Sequence, residues 1–216
     1  MGIFNRKSKS ASHLSTGPAA APAAPGLGAA TAVADAPVGV DLTGDYTIDP
    51  SHSRLGFSAR HAMVTTVRGA FPEFTGTAHI DAANPAGSTV ALTISAASVD
   101  TGSADRNGHL VSADFFDVEN HPTLTFTSTH VERDGDDWAI TGDLVIKGTS
   151  KPATIDFEST GTATDPFGNQ RAGFEGSTTI NRKDWGLSWN AALETGGVLV
   201  SEKIKLELDI SAIKSV

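Results

Sequence analysis

Seven histidines, His13, His52, His61, His79, His109, His121 and His130, are the side chains of this protein that could exchange a proton near neutral pH. General acid–base catalysis needs such a group within reach of a nucleophile or a bound substrate, and His61 and His52 are the two candidates. His61 ends the stretch "SRLGFSARH", in which Leu55, Phe57, Ala59 and His61 fall on one side of an extended chain. His52 follows Asp49, Pro50 and Ser51, a turn sequence that predicts a local hydrogen bond instead. His79 and His130 alternate with inward-pointing neighbours and are expected in solvent. No His-x-x-x-His pair or other compact metal-ligand spacing occurs. The chain has no cysteine, which excludes thiolate nucleophiles, disulfides and cysteine metal sites. It also has no G-x-S-x-G elbow, phosphate loop or dinucleotide-binding glycine pattern. The residues predict no catalytic centre, no metal and no cofactor, with a histidine-dependent enzyme as the minority alternative.

Arg182 is the most suggestive charge. In "TINRKDWGLSW" it shares parity with Thr178 and Ile180, which places it on an inner face. A guanidinium there could hold a carboxylate or phosphate head group in two-pronged fashion. The competing reading is an internal ion pair with Asp184 or another nearby acid, because buried arginines are usually paired.

The elements that would position these groups are strands. Period-two alternation puts Phe74, Gly76, Ala78 and Ile80 on one face, then Val90, Leu92 and Ile94, then Leu124 and Phe126. It continues with Trp138 and Ile140, Leu144 and Ile146, Ile155 and Phe157, and Phe174, Gly176, Thr178 and Ile180. In "EKIKLELDI", Ile204, Leu206, Leu208 and Ile210 alternate strictly with Lys203, Lys205, Glu207 and Asp209. Turn sequences such as "NPAGS", "RDGDD", "KGTSKP" and "DPFGN" separate the runs. One-sided alternation with short connections predicts antiparallel pairing, and about eight such strands need closure or a second sheet to cover the apolar face. Residues 106–116 break the rhythm and are read as a short helix, ended by the approach to Pro122. The inward face mixes bulky residues with Ala59, Gly76, Ala78, Ala96 and Gly176. Such small residues would either leave room for an apolar ligand or mark bends where strands coil.

The first forty residues are rich in Ala, Pro, Gly and Ser and lack apolar periodicity, so 1–40 is read as a flexible arm before a folded domain at 41–216. The basic tip of the arm (Arg6, Lys7, Lys9) is followed by no continuous apolar run, which predicts a cytoplasmic protein without signal peptide or transmembrane segment. Weak contact of that tip with a membrane surface stays open. The formal net charge is −9, and residues 41–216 carry 13 basic against 24 acidic side chains, which argues against nucleic-acid binding.

Four ordered blocks carry a resemblance. They are "YTIDPSHSRLGFSARHAMVTTVRGAFPEFTG", "SVDTGSADRNGHLVSADFFDVENHPTLTFTS", "GDLVIKGTSKPATI" and "INRKDWGL". Together they resemble the YceI-like, polyisoprenoid-binding family over essentially the whole of 44–213. The resemblance implies an all-β fold, an extended antiparallel lipocalin-like β-barrel of about eight strands with one short helix, holding a long apolar chain. It implies isoprenoid, quinone-like or fatty-acyl ligands, frequent homodimers and no established catalytic residues. Many members carry a cleaved secretion signal; this chain has the Ala/Pro arm instead. The expected function is non-catalytic binding and carriage or storage of a long-chain amphiphilic lipid. By parity its lining would comprise Leu55, Phe57 and Ala59 with Phe74 and Ala78, Leu92 and Ile94, Phe126 and Ile140, and Phe174, Ile180 and Leu206. Phe115, Phe116 and Trp185 would close one end, with His61 or Arg182 near the head group. A single bulge would invert any strand's assignment. The alternatives are an enzyme acting on a lipid-like substrate, with His61 or His52 as base, and a stress-related interaction module with a filled core.

Overall fold

The alternating runs become ten strands of one antiparallel sheet that closes on itself. The structure, a computed structural model, describes residues 41–194 and 196–215; the expected arm at 1–40 lies outside the described residues. The strands are β1 (Gly44–Ile48), β2 (Arg54–His61), β3 (Thr65–Ala70), β4 (Phe74–Ile80), β5 (Thr89–Ser95), β6 (Thr123–Asp134), β7 (Asp137–Ile146), β8 (Thr149–Thr164), β9 (Gln170–Asn181) and β10 (Val200–Lys214). A helix, α1 (Ala104–Val111), interrupts them between β5 and β6, and a 3₁₀ turn spans Arg182–Trp185.

Ten strands make an eight-stranded barrel because two of the barrel's strands are broken. β1 and β2 lie end to end along the same edge of β10, with Ile48 opposite Ala212 and Arg54 opposite Asp209. Their outer neighbours repeat the arrangement, β4 pairing with β1 and β3 with β2. Each break holds a proline, Pro50 in one and Pro72 in the other. Proline cannot donate to a ladder, so its position is where a strand must yield. The first gap is still stitched to β10, since Asp49 N–H donates to Ser211 O (2.9 Å) and Ser211 N–H donates to Ser53 Oγ (2.9 Å). The all-β barrel expected from alternation is therefore the fold observed. Its apolar face is inside and its charged face outside, the reverse of a membrane-spanning barrel. No helix among the described residues is long and apolar enough to cross a membrane.

An ion cluster locks the seam. Arg171 of β9 donates through Nη1 to Asp49 Oδ2 (2.7 Å) and to Ser211 Oγ (3.1 Å), and through Nε to Asp165 Oδ2 (2.9 Å). His52 Nδ1 meets the same Asp49 oxygen at 2.8 Å, the local turn contact its sequence context predicts. The Arg171 guanidinium holds the Asp49 carboxyl down to about 2. Asp165 is pushed down first by the Asn169 amide and then by Arg171.

The helix is shorter and earlier than the expected 106–116. It stops at Val111 because Ser112 turns its hydroxyl back to His109 O (2.7 Å), giving the backbone an alternative to another helical turn. Phe115 and Phe116 reach the core from the turns that follow.

The small inward residues do not leave open space. A Cβ on Gly176 would stand 2.3 Å from Cδ1 of Phe157, its direct cross-strand partner, and one on Gly69 would stand 2.4 Å from Cζ of Phe57. On Gly142 it would meet the Phe126 ring at 2.6 Å, and on Gly76 it would meet Ile48 Cδ1 at 2.6 Å. These glycines are seats for large side chains, the strand equivalent of covering a glycine with an aromatic ring. The packing is consequently dense, and one continuous apolar cluster runs from Ile48 and Leu55 through Phe74, Phe126 and Leu144 to Trp185 and Ile210.

Candidate ligand-binding site

Inside the barrel the sheet leaves one cavity of about 90 Å³ with an almost wholly hydrocarbon wall. Of the residues expected to line a site, Ala78, Leu92, Phe126, Ile140 and Phe174 form that wall. Leu55, Phe74 and Ile94 are buried in the surrounding core, and Phe57, Ile180 and Leu206 pack half-buried against it. Ala59 is half-buried between Val67 and Ile204 and belongs to neither core cluster. The wall also contains Ile48, Ile80, Val90, Val131, Trp138, Ile155, Phe157, Leu208, Ile210 and Ala212, which the lining drawn from the sequence left out. Most of these stand on the inward side of their strands by parity. What the sequence lacks is strand register, which decides the inward residues that converge at one height.

One end is closed by aromatics. Phe57, Phe71 and Phe116 form a chain with ring centroids 5.5 and 5.6 Å apart. Beside it, Phe115 and His109 pack on Trp189 at 5.4 and 4.5 Å. Trp185 is buried and donates its Nε1–H to Leu144 O (2.9 Å). Phe115, Phe116 and Trp185, expected at one end, are buried in the core cluster beside the helix region and in the 3₁₀ turn. At the opposite end, near the β6–β7 hairpin, Trp138 packs edge-on to Phe174 with centroids 6.3 Å apart. The guanidinium of Arg133, its cross-strand partner, lies over the indole 4.8 Å from the ring centre.

The two polar candidates behave differently. Arg182 is 4% exposed, yet it makes no ion pair with Asp184. Its Nε donates to Ser201 O (2.9 Å), Nη1 to Leu187 O and Nη2 to Val200 O (3.5 Å). The internal ion pair weighed from the sequence is corrected to a clasp on backbone carbonyls. Burial pushes the guanidinium below its ordinary value. The three donors tie the 3₁₀ turn to the start of β10, where the chain would otherwise expose unpaired acceptors. His61 is exposed at the end of β2, opposite Val200 and Thr65. The other described histidines with acid partners are dispersed, His79 on Asp45, His109 on Asp114 and His130 on Glu132.

A larger open groove of about 1050 Å³ lies over the outer faces of β7 to β10, lined by Asp137, Asp156, Glu158, Glu175, Glu207 and Asp209 beside Arg54, Arg133 and Lys205. Charged side chains dominate its rim, although Trp138, Phe157 and Leu208 also border it, so it suits an apolar chain less well than the interior does. The interior is the site that could sequester one.

Comparison with known proteins gives a consistent answer. The family model described as "YceI-like domain" matches residues 46–212. Protein YceI of Escherichia coli O157:H7 is 42% identical over 151 residues, covering 69% of this chain and 79% of that protein. The solved YCEI protein of Campylobacter jejuni superposes with a TM-score of 0.63 at 28% identity, over 73% of this chain and 90% of that one. A structure described as a polyisoprenoid binding domain from Saccharophagus degradans superposes with a TM-score of 0.59 at 18% identity, over 79% and 98%. At that identity the likeness is one of fold.

Proposed function

The chain belongs to the YceI-like family, and from that premise we propose that it binds one long apolar lipid chain inside the barrel and carries or stores it without chemical change. The observation that carries this reading is the interior cavity, whose wall runs from Ile48 and Leu92 past Phe126 to Phe157 and Ile210 with scarcely a polar atom. The printed description of the Saccharophagus degradans domain as polyisoprenoid-binding supports the ligand class. Isoprenoid, quinone-like and fatty-acyl chains all meet the requirement, because burial of CH₂ groups needs no specific polar partner.

The cavity is well below the roughly 300–1,000 Å³ of ordinary ligand pockets. Carriage therefore requires the interior to widen, and the rings seated on glycines, Phe157 above all, are the parts that must swing. The same tightness favours a second reading, an interaction module whose core is simply filled.

A chain-length series separates the two. With solvent-extracted protein, affinity for linear alkyl or prenyl probes is expected to rise about fourfold per added CH₂, the equivalent of about 0.8 kcal/mol, and to level off once the barrel is full. Affinity that ignores chain length, or no uptake, would leave the filled-core reading.

A further inference from the structure

Among the buried side-chain nitrogen and oxygen atoms of the described residues, Trp138 Nε1 is the one that lacks a hydrogen-bond partner. The residue is 4% exposed and forms part of the cavity wall. No neighbour accepts its proton. Leu42, Val131, Ala172 and Ala212 surround it with hydrocarbon, and Tyr46, in the same cluster, spends its hydroxyl hydrogen on Leu42 O (2.7 Å). Arg133, stacked on the indole, is itself a donor and gives its Nε–H to Gly135 O. By contrast Trp185, equally buried, is satisfied by Leu144 O. An orphaned buried donor is costly and rare in native proteins. One that borders an apolar cavity marks where an occupant supplies an acceptor.

We propose that Trp138 Nε1–H is the polar anchor of the barrel, and that the bound lipid carries an acceptor-only oxygen, a carbonyl of ester or ketone type, at the β6–β7 hairpin end. The proposal rests on the lipid-carriage reading and adds to it the chemistry and orientation of the ligand's head. One donor among hydrocarbon matches a group that accepts without donating. An alcohol would bring its own O–H, for which the wall offers only Ser88, whose Oγ already accepts from Asp81 N–H, and His79, already bonded to Asp45. A phosphate or carboxylate would bring a charge into a wall with scarcely a polar atom, and the nearby Arg133 guanidinium lies against the indole ring in the outer groove and not in that wall. The tail would then run towards the Phe57–Phe71–Phe116 end.

Three probes of equal chain length test this on the full chain: a long-chain methyl ester, the matching alcohol and the matching alkane. The methyl ester is expected to bind about 3- to 10-fold more tightly than the alkane, the range of one net hydrogen bond, and more tightly than the alcohol. In a ¹H–¹⁵N spectrum the Trp138 indole resonance is expected to move downfield on ester binding, while that of Trp185, already bonded to Leu144 O, stays in place. Trp138→Phe is expected to lose the ester's advantage and keep alkane affinity. If the variant does not fold, the wild-type resonance and the ester-to-alkane ratio decide. Equal binding of ester, alcohol and alkane, or a Trp138 resonance that ignores bound ester, overturns the anchor and leaves carriage intact. Failure of all three probes to bind overturns carriage and the anchor with it.

Discussion

Arg182→Leu is expected to destabilise the barrel by about 2–5 kcal/mol, read as a lower midpoint in chemical denaturation. The side chain is 4% exposed and serves the carbonyls of Leu187, Val200 and Ser201 at once. Leucine fills much of the volume but removes the side-chain donor from Leu187 O and Ser201 O, while Val200 O keeps Asn190 Nδ2 at 2.7 Å. Each buried unsatisfied group costs about 1–3 kcal/mol, discounted here because Val200 O is held at a long 3.5 Å. Arg182→Lys is expected to fall in between, since an ammonium keeps the charge but cannot fork to three carbonyls. Amide exchange should accelerate first in 186–200. An unchanged denaturation midpoint would mean that the clasp contributes nothing.

Gly176→Val is expected to cost about 1–3 kcal/mol or somewhat more. The new side chain must enter space occupied by the ring of Phe157, which would have to turn towards the cavity it lines. Overpacking of a dense core costs about 1–3 kcal/mol and occasionally more, and here a β-branched residue meets an aromatic ring held in cross-strand register. The companion change Phe157→Ala should recover much of the loss, and that coupling in a double-mutant cycle is the signature of the ring-on-glycine contact. Gly108→Ala serves as the control. It lies in α1, where a Cβ would meet no neighbour within 4 Å, so alanine should stabilise slightly. Additive, independent effects of Gly176→Val and Phe157→Ala would show that the ring does not depend on the glycine.

These two sites also show how far residues alone could be read. Strict alternation in 202–210 announced β10 and its inner face, because a half-buried strand exposes its period directly. The ordered blocks around "DPSHSRLGFSARH" and "INRKDWGL" carried the family. Gly176, in contrast, was legible only as small and inward. Whether it opened a cavity or seated a ring depended on Phe157 standing opposite it, and register is a property of two strands. Arg182 was correctly placed inside by parity, but its partners are carbonyls of a segment that lacks regular alternation, so side-chain chemistry alone pointed to Asp184. The helix boundary slipped for a local reason, the back-bonding of Ser112. Trp138 stood on the inward side of "WAITGDLVIKG" in plain view. Its importance lies in a missing acceptor, which no pattern of residue types can display.

The same features connect packing to function. A barrel whose rings sit on glycines can be closed and dense at rest and still open along its axis when those rings turn together. The seam cluster of Asp49, Arg171 and Asp165 ties the gap between β1 and β2 to β9.

Native mass spectrometry of the protein isolated from its own source, before and after solvent extraction, tests the carriage of a lipid most directly. The expected result is one bound lipid per barrel, released by extraction and restored when a long-chain probe is added back. A single mass equal to that of the bare polypeptide before extraction, with no uptake afterwards, would contradict it.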